Sequence, residues 1–179
     1  MFYVSEIKTD SPKDYKNVLQ FLTYKTLEEL HVPYERVDTD EAITMADCDI
    51  IDRKLDMEMV KTLFLCNRQQ TKFFLFITKG SKRFDAKAFS KTLGIPRVSF
   101  APEDRMNDML GTKIGAATVF SALMDSADDV RVIFDKEVTD QDFYGCSDGT
   151  TTGYMKIRTD QILNTVLPYT KHTAEIIEV

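Results

Sequence analysis

Residues 60–77 hold two dense apolar runs, Val60-Lys61-Thr62-Leu63-Phe64-Leu65-Cys66 and Thr71-Lys72-Phe73-Phe74-Leu75-Phe76-Ile77, on either side of a short polar stretch, Asn67-Arg68-Gln69-Gln70. The pattern predicts a β-hairpin with its tip at 67–70. Apolar residues at consecutive positions belong to strands covered on both faces. The rest of the chain must therefore supply cover for two sides of a sheet. Lys61 interrupts this pattern at the mouth of the first strand, where a buried ammonium needs a partner. Two readings meet it. Either the side chain snorkels outward from the strand end, or its cation grips an anionic or carbonyl group of a ligand at the sheet edge.

The flanking sequence supplies that cover. Ser11 as N-cap, Pro12 in the first turn and Asp14 three residues on predict a helix from about 11 to 31. Tyr15, Val18, Leu19, Leu22, Thr26, Leu27 and Leu30 share one face of it, and Pro33 lies beyond its end. A strand is expected at 34–38, then a helix opened by the capping box Thr44-Met45-Ala46-Asp47 and running to about 55 with Ile50 and Ile51 inward. Short helices at 85–93 and 102–110 are each stopped by a glycine, Gly94 and Gly111. Strands are expected at 96–101, 130–134, 154–157 and 174–179, and a helix or strand at 115–124. Thr159 is placed to cap a last helix that Pro168 breaks. This alternation predicts an α/β or α+β class and one domain over 1–179.

A net charge of −6 argues against a general nucleic-acid binder. The charge is uneven, however. Residues 1–60 carry seven Lys and Arg against fourteen Asp and Glu, whereas 72–97 carry seven basic residues against one acid, Asp85. A local basic face can meet phosphates while the remainder repels them. The three cysteines, Cys48, Cys66 and Cys146, form no close pair, so neither a disulfide framework nor a zinc knuckle is expected, and a reducing cytoplasm fits. No signal-peptide pattern opens the chain and no apolar run approaches a membrane span.

Familiar catalytic sets are missing. The sequence has no nucleophile elbow, phosphate-binding glycine loop, HExxH or CxxC. His31, at the end of the first helix, and His172, in a polar tail segment, read as structural or solvent-exposed groups. Cys66 and Cys146 read as small buried residues, with no base beside them. No metal or cofactor is expected.

The phrase Lys61-Thr62-Leu63-Phe64-Leu65 resembles the lysine-asparagine-leucine-phenylalanine-leucine signature of the YbaK-type aminoacyl-tRNA deacylases, in the branch of prolyl-tRNA-synthetase-associated editing domains. The resemblance continues through Leu93-Gly94, Val98-Ser99-Phe100-Ala101, Gly115, the stretch from Val132 to Glu137, and Lys156-Ile157-Arg158-Thr159, covering nearly the whole chain. It implies a mixed β-sheet partly wrapped by helices, no cofactor, and a site that hydrolyses an ester without a covalent nucleophile. Such a site needs a cation or amide donors for an oxyanion, a positioned water, and a pocket sized for the wrong amino acid. The terminal ribose hydroxyl of the tRNA can assist.

Residue by residue, the resemblance implies catalytic roles for Lys61 and Thr62, with Lys61 holding the ester carbonyl or the terminal nucleotide phosphate. It implies a substrate pocket from Gly115, Ala116, Thr118, Ser147, Asp148 and Thr151. Gly115 begins the counterpart of a glycine-x-x-x-proline loop whose backbone approaches the substrate amino group, a closeness that suits a residue without Cβ. Lys82, Arg83 and Lys87, in the basic stretch, are the expected tRNA contacts. Four departures stand out: Thr62 replaces the asparagine, Val119 the loop proline, Ser147 with Asp148 a histidine-proline pair, and Thr151 a second asparagine. Asp148 is expected either to favour a cationic amino group or to face solvent in a turn. The implied function is a trans-acting deacylase of a mischarged proline tRNA carrying alanine or another small residue. The alternatives are a catalytically silent module binding tRNA or a synthetase, and an interaction domain with no nucleic-acid role. tRNA is the expected partner, with prolyl-tRNA synthetase a further candidate.

Overall fold

The computed structural model describes all 179 residues. In chain order the elements are α1 (Val18–Glu29), β1 (Glu35–Asp38), α2 (Met45–Leu55), β2 (Val60–Cys66), β3 (Phe73–Lys79), α3 (Ala86–Leu93), β4 (Ser99–Phe100) and α4 (Glu103–Leu110). Two 3-10 turns follow, Val119–Leu123 and Asp125–Ala127, and then β5 (Arg131–Asp135), α5 (Lys136–Thr139), β6 (Phe143–Ser147) and β7 (Gly153–Arg158). The chain closes with α6 (Thr159–Gln161), a π turn (Ile162–Val166), α7 (Leu167–Tyr169) and β8 (Ala174–Ile177).

The expected hairpin is the antiparallel pair β2–β3, in register from Val60↔Lys79 to Cys66↔Phe73. Its tip is tied by Asn67, whose side-chain oxygen accepts from the N–H groups of Thr71 and Lys72. The hairpin sits inside a five-stranded sheet of order β4-β2-β3-β5-β8, with β5 and β8 running parallel. A second sheet, β1-β7-β6, is antiparallel throughout. One parallel bridge, Met59↔Gly145, joins the two sheets.

Strand alternation divides the hairpin between two cores, as its unbroken apolar pattern requires. Phe64, Cys66, Phe73, Leu75 and Ile77 point inward, into a cluster of 27 buried residues shared with α1, α4, β6, β7 and the C-terminal helix. Leu65, Phe74 and Phe76 point outward, onto Phe89 of α3, Val98 and Ile177. A third cluster, Val37, Ile51, Leu55 and Tyr154, holds α2 against β1 and β7. Each fully buried phenylalanine contributes about 1.5–3 kcal/mol.

Local signals set many boundaries. Thr44 and Asp47 form the reciprocal capping box of α2, Asp85 caps α3, and Gly94 and Gly111 close α3 and α4 in the left-handed conformation. Tertiary contacts override several others. The first helix starts at Asn17, not Ser11. The Asn17 side chain accepts from the N–H of Gln20 while donating to the carbonyl of Gly149, so the cap is also an anchor. The buried face of α1 is accordingly Leu19, Gln20, Thr23, Tyr24, Thr26 and Leu27, with Val18 exposed. Only Ile51 of the pair in α2 is fully buried. The strand expected at 96–101 shrinks to two residues, and 119–123 forms a 3-10 turn. β6 has no counterpart in the sequence reading. Helical structure continues past Pro168, because the π turn shifts the preceding bond to Leu167 N–H→Ile162 C=O. Thr159 caps nothing, and its buried hydroxyl has no partner.

Candidate active site

Alternation on β2 separates the two residues that the sequence pairs. Thr62 shares the inner face with Phe64 and looks toward the fully buried Tyr144. Lys61 lies opposite Thr78 on the outer face, and its Nζ donates to the carbonyl of Lys82 at 2.6 Å. Thr78 in turn donates to Asp135 at 2.8 Å. The ammonium is thus held on the α3 side of the sheet. Burial pushes the Tyr144 phenol far up, and its oxygen finds no partner in hydrogen-bond geometry.

The substrate-pocket candidates gather on the inner side, where the 112–118 loop meets the turn between β6 and β7. Thr112 Oγ1 donates to the carbonyl of Gly149 at 3.0 Å. Thr118 faces Cys146, whose thiol burial pushes far up, out of nucleophilic range. Gly115 has φ +89, which favours glycine, and a Cβ there would stand 3.8 Å from Thr151 Cγ2. Ala116, Thr118, Ser147, Asp148 and Thr151 are all buried, while Gly115 is exposed. Ser147 Oγ accepts from Gly149 N–H at 3.0 Å and donates to Thr150 O at 2.6 Å, so it stabilises the turn itself.

Asp148 neither faces solvent nor waits for a cation, because it is 1% exposed. Its Oδ2 accepts from Tyr24 Oη at 2.7 Å and Gln20 Nε2 at 2.9 Å, and its Oδ1 from the hydroxyl and N–H of Thr150 at 2.8 and 3.2 Å. Burial, then the Asp148 charge, pushes the Tyr24 phenol far up, so Tyr24 stays a donor. A Cβ on Gly153 would lie 2.2 Å from Asp148 Oδ2, so the carboxylate fills the space a side chain would need. This is how α1 is clamped to the turn, and it explains why Gln20 and Tyr24 displace Val18 from the buried face.

Charged groups meet at Thr151 and Thr152, next to Gly115. Glu41 Oε1 accepts from Thr151 Oγ1 at 3.1 Å and from Lys113 Nζ at 3.4 Å, and Lys16 Nζ donates to Thr152 Oγ1. Ile43 and Ile114 are exposed nearby in sequence. Glu41 carried no motif in the sequence. Two backbone bonds, Thr39 N–H→Thr152 O at 2.9 Å and Ala42 N–H→Thr151 O at 3.1 Å, bring its loop to the site.

The expected tRNA contacts divide. Arg83 and Lys87 are exposed on the outer side, as are Lys72, Lys91 and Arg97. Lys82 is not free. Its Nζ lies 2.8 Å from Asp135 Oδ2 and 3.4 Å from Glu137, and also donates to the Val179 carbonyl. A buried carboxylate has recruited it as a counter-ion. His31 is exposed, and His172 bridges Thr170 and the Ala127 carbonyl. A separate open cleft of about 510 Å³ lies by Leu163, Pro168, His172 and Ile176.

Residues 52–165 match the family described as the aminoacyl-tRNA editing domain, a span that contains every residue the sequence singled out for catalysis, substrate or tRNA, whereas Lys16, Glu41 and Ile43 lie before it. The chain is similar to the prolyl-tRNA editing protein ProX of Acetoanaerobium sticklandii, 30% identical over 112 residues, covering 63% of this chain and 68% of that one. Among solved structures it is similar to a proposed trans-editing enzyme for prolyl-tRNA synthetase, with TM-score 0.65 and 14% identity over 92% of this chain and 99% of the other. A hypothetical protein of known crystal structure matches with TM-score 0.68 and 13% identity over 87% and 97%. At such identities the two structures speak to the fold, which is the mixed α/β architecture expected.

Proposed function

This chain belongs to the aminoacyl-tRNA editing domain family, and on that premise we propose that it hydrolyses, in trans, the ester of a proline tRNA mischarged with alanine or another small residue. The observation that carries this reading is the meeting of the 112–118 loop with the 147–151 turn on the inner side of β2. There the exposed, left-handed Gly115 stands beside Thr151, in a loop and turn that also carry the buried Ala116, Thr118 and Ser147. Water is the nucleophile in this proposal, since Cys146 is held as a thiol and no histidine is at hand. Water adds to the ester carbonyl, and backbone N–H groups of the loop together with Thr62 meet the developing oxyanion. The C–O bond then breaks; one proton of the water ends on the terminal ribose oxygen and the other passes to solvent, leaving the amino acid as carboxylate. Gly115, Ala116, Thr118, Ser147 and Thr151 shape the pocket, while Asp148 braces it from behind.

Lys61 fits this scheme as a contact to the tRNA backbone. Its cation lies on the outer side with Arg83 and Lys87, which are the tRNA-binding residues of the proposal. The reaction takes place in the cytoplasm, with prolyl-tRNA synthetase as a further partner. The silent-module reading draws on the same Lys61, which is turned from the pocket and satisfied by a carbonyl. Deacylation assays with purified protein against alanyl-, seryl- and prolyl-charged proline tRNA separate the two. The proposal expects hydrolysis of a mischarged tRNA in preference to the prolyl form. Binding without hydrolysis of any of them selects the silent module.

A further inference from the structure

We infer that Glu41 is the carboxylate that receives the α-ammonium group of the bound aminoacyl ester, an assignment that rests on the editing reading above. An aminoacyl ester carries its cationic ammonium one carbon from the scissile carbonyl. A site that places the carbonyl must therefore also place this charge, and an anionic partner does so best.

Two carboxylates touch the gathered loop and turn. Asp148 is closed to a ligand: both its oxygens are occupied by Tyr24, Gln20 and Thr150, and there is no room beside it even for a methyl group on Gly153. Glu41 is open. Its side chain is 55% exposed, its Oε1 is shared between Thr151 and Lys113, and its Oε2 accepts no hydrogen bond. The backbone holds it in place, with Thr39 N–H donating to Thr152 O at 2.9 Å and Ala42 N–H to Thr151 O at 3.1 Å on either side of it.

Thr151 links Glu41 to Gly115, since its hydroxyl reaches the carboxylate and its methyl lies 3.8 Å from where a Gly115 Cβ would be. A substrate seated against Gly115 brings its ammonium to the Glu41–Thr151 pair. Lys113, at 3.4 Å and 64% exposed, is the cation that occupies this position until the substrate exchanges for it.

The test compares alanyl-tRNA with N-acetyl-alanyl-tRNA, which lacks the charge, on the full-length wild type and on Glu41→Gln. The wild type is expected to favour the free amine by about tenfold in kcat/KM, the scale of one charge-assisted hydrogen bond. Glu41→Gln is expected to bring that ratio close to one with unchanged thermal unfolding. A wild-type ratio near one, or a ratio that survives Glu41→Gln, overturns the assignment. If the wild type hydrolyses neither substrate, the editing reading has failed, and Glu41 is judged on the same two ligands by binding. A preference for the free amine that Glu41→Gln abolishes sustains it, and equal affinities overturn it.

Discussion

Lys61 Nζ donates to the backbone carbonyl of Lys82 at 2.6 Å, on the opposite side of the hairpin from the next residue, Thr62. An oxyanion donor removed from an editing site costs about 10²-fold or more in kcat. A backbone contact costs affinity instead. Lys61→Ala is therefore expected to raise KM for aminoacyl-tRNA several-fold and leave kcat within about threefold, with the fold intact. A loss of 10² in kcat would return Lys61 to the ester carbonyl.

Lys82 and its neighbours are expected to fail in different ways. Burial acts to raise the Asp135 carboxyl, but the hydrogen bonds from Lys82, Thr78 and the Glu137 N–H, with the Lys82 charge, together outweigh it and hold the group below its usual range. Removing one member of a buried pair costs about 3–5 kcal/mol, so Lys82→Ala is expected to lower the unfolding midpoint sharply. The Arg83→Ala/Lys87→Ala double variant is expected to melt like wild type. Its tRNA affinity falls, and its salt dependence flattens by about one unit of slope per lost contact. An unchanged slope places the tRNA on another surface.

Tyr144→Phe is expected to stabilise the protein. The ring stays where it packs edge-to-face on Phe134, 6.4 Å between centroids, while a buried hydroxyl without a partner is removed. Such an orphan costs about 1–3 kcal/mol, and denaturant unfolding at constant m reads the gain directly. Destabilisation of that size would mean that Thr62 or a water satisfies the hydroxyl.

Asp52 supplies a pH signature. Burial first, then the nearby Asp49 and Glu58 charges, push its carboxyl up to about 6, against the hydrogen bond it accepts from Met59 N–H at 3.0 Å. Between about pH 4 and 6 the folded state binds the extra proton, so this group's contribution is full below about 4 and lost as pH rises through 6. Asp52→Asn keeps the acceptor and discards the charge. Its stability relative to wild type is expected to rise from pH 4 to 6 and level off above; a difference constant with pH would exclude this origin.

Features governed by near neighbours were legible in the sequence. The hairpin, the Thr44–Asp47 box and the glycine stops at 94 and 111 follow from side chains acting within a few residues. What depended on distant partners was not. β6 has Gly145, a poor strand former, at its centre, and it is a strand because β7 pairs with it and Met57 packs over Gly145. Asp148 read as a pocket or turn residue because its donors Gln20 and Tyr24 lie more than 120 positions away. Lys61 and Thr62 were adjacent in a motif, and adjacency along a strand means opposite faces. The resemblance pointed to segments 115–118 and 147–151, which the fold brings together, while the exposed carboxylate beside them lay in a loop with no pattern of its own.

The lone rung between Met59 and Gly145 has a consequence for how such a molecule can diversify. Ladders resist change, because a shift in one rung disturbs all the others. A seam with a single rung is set mainly by what fills it, here Met57 over Gly145 and Tyr144 toward Thr62. A larger or smaller side chain on either bank alters the gap and leaves the hydrogen-bonding of both sheets intact. The width of this seam is thus open to retuning one substitution at a time, without passing through an unfolded ancestor.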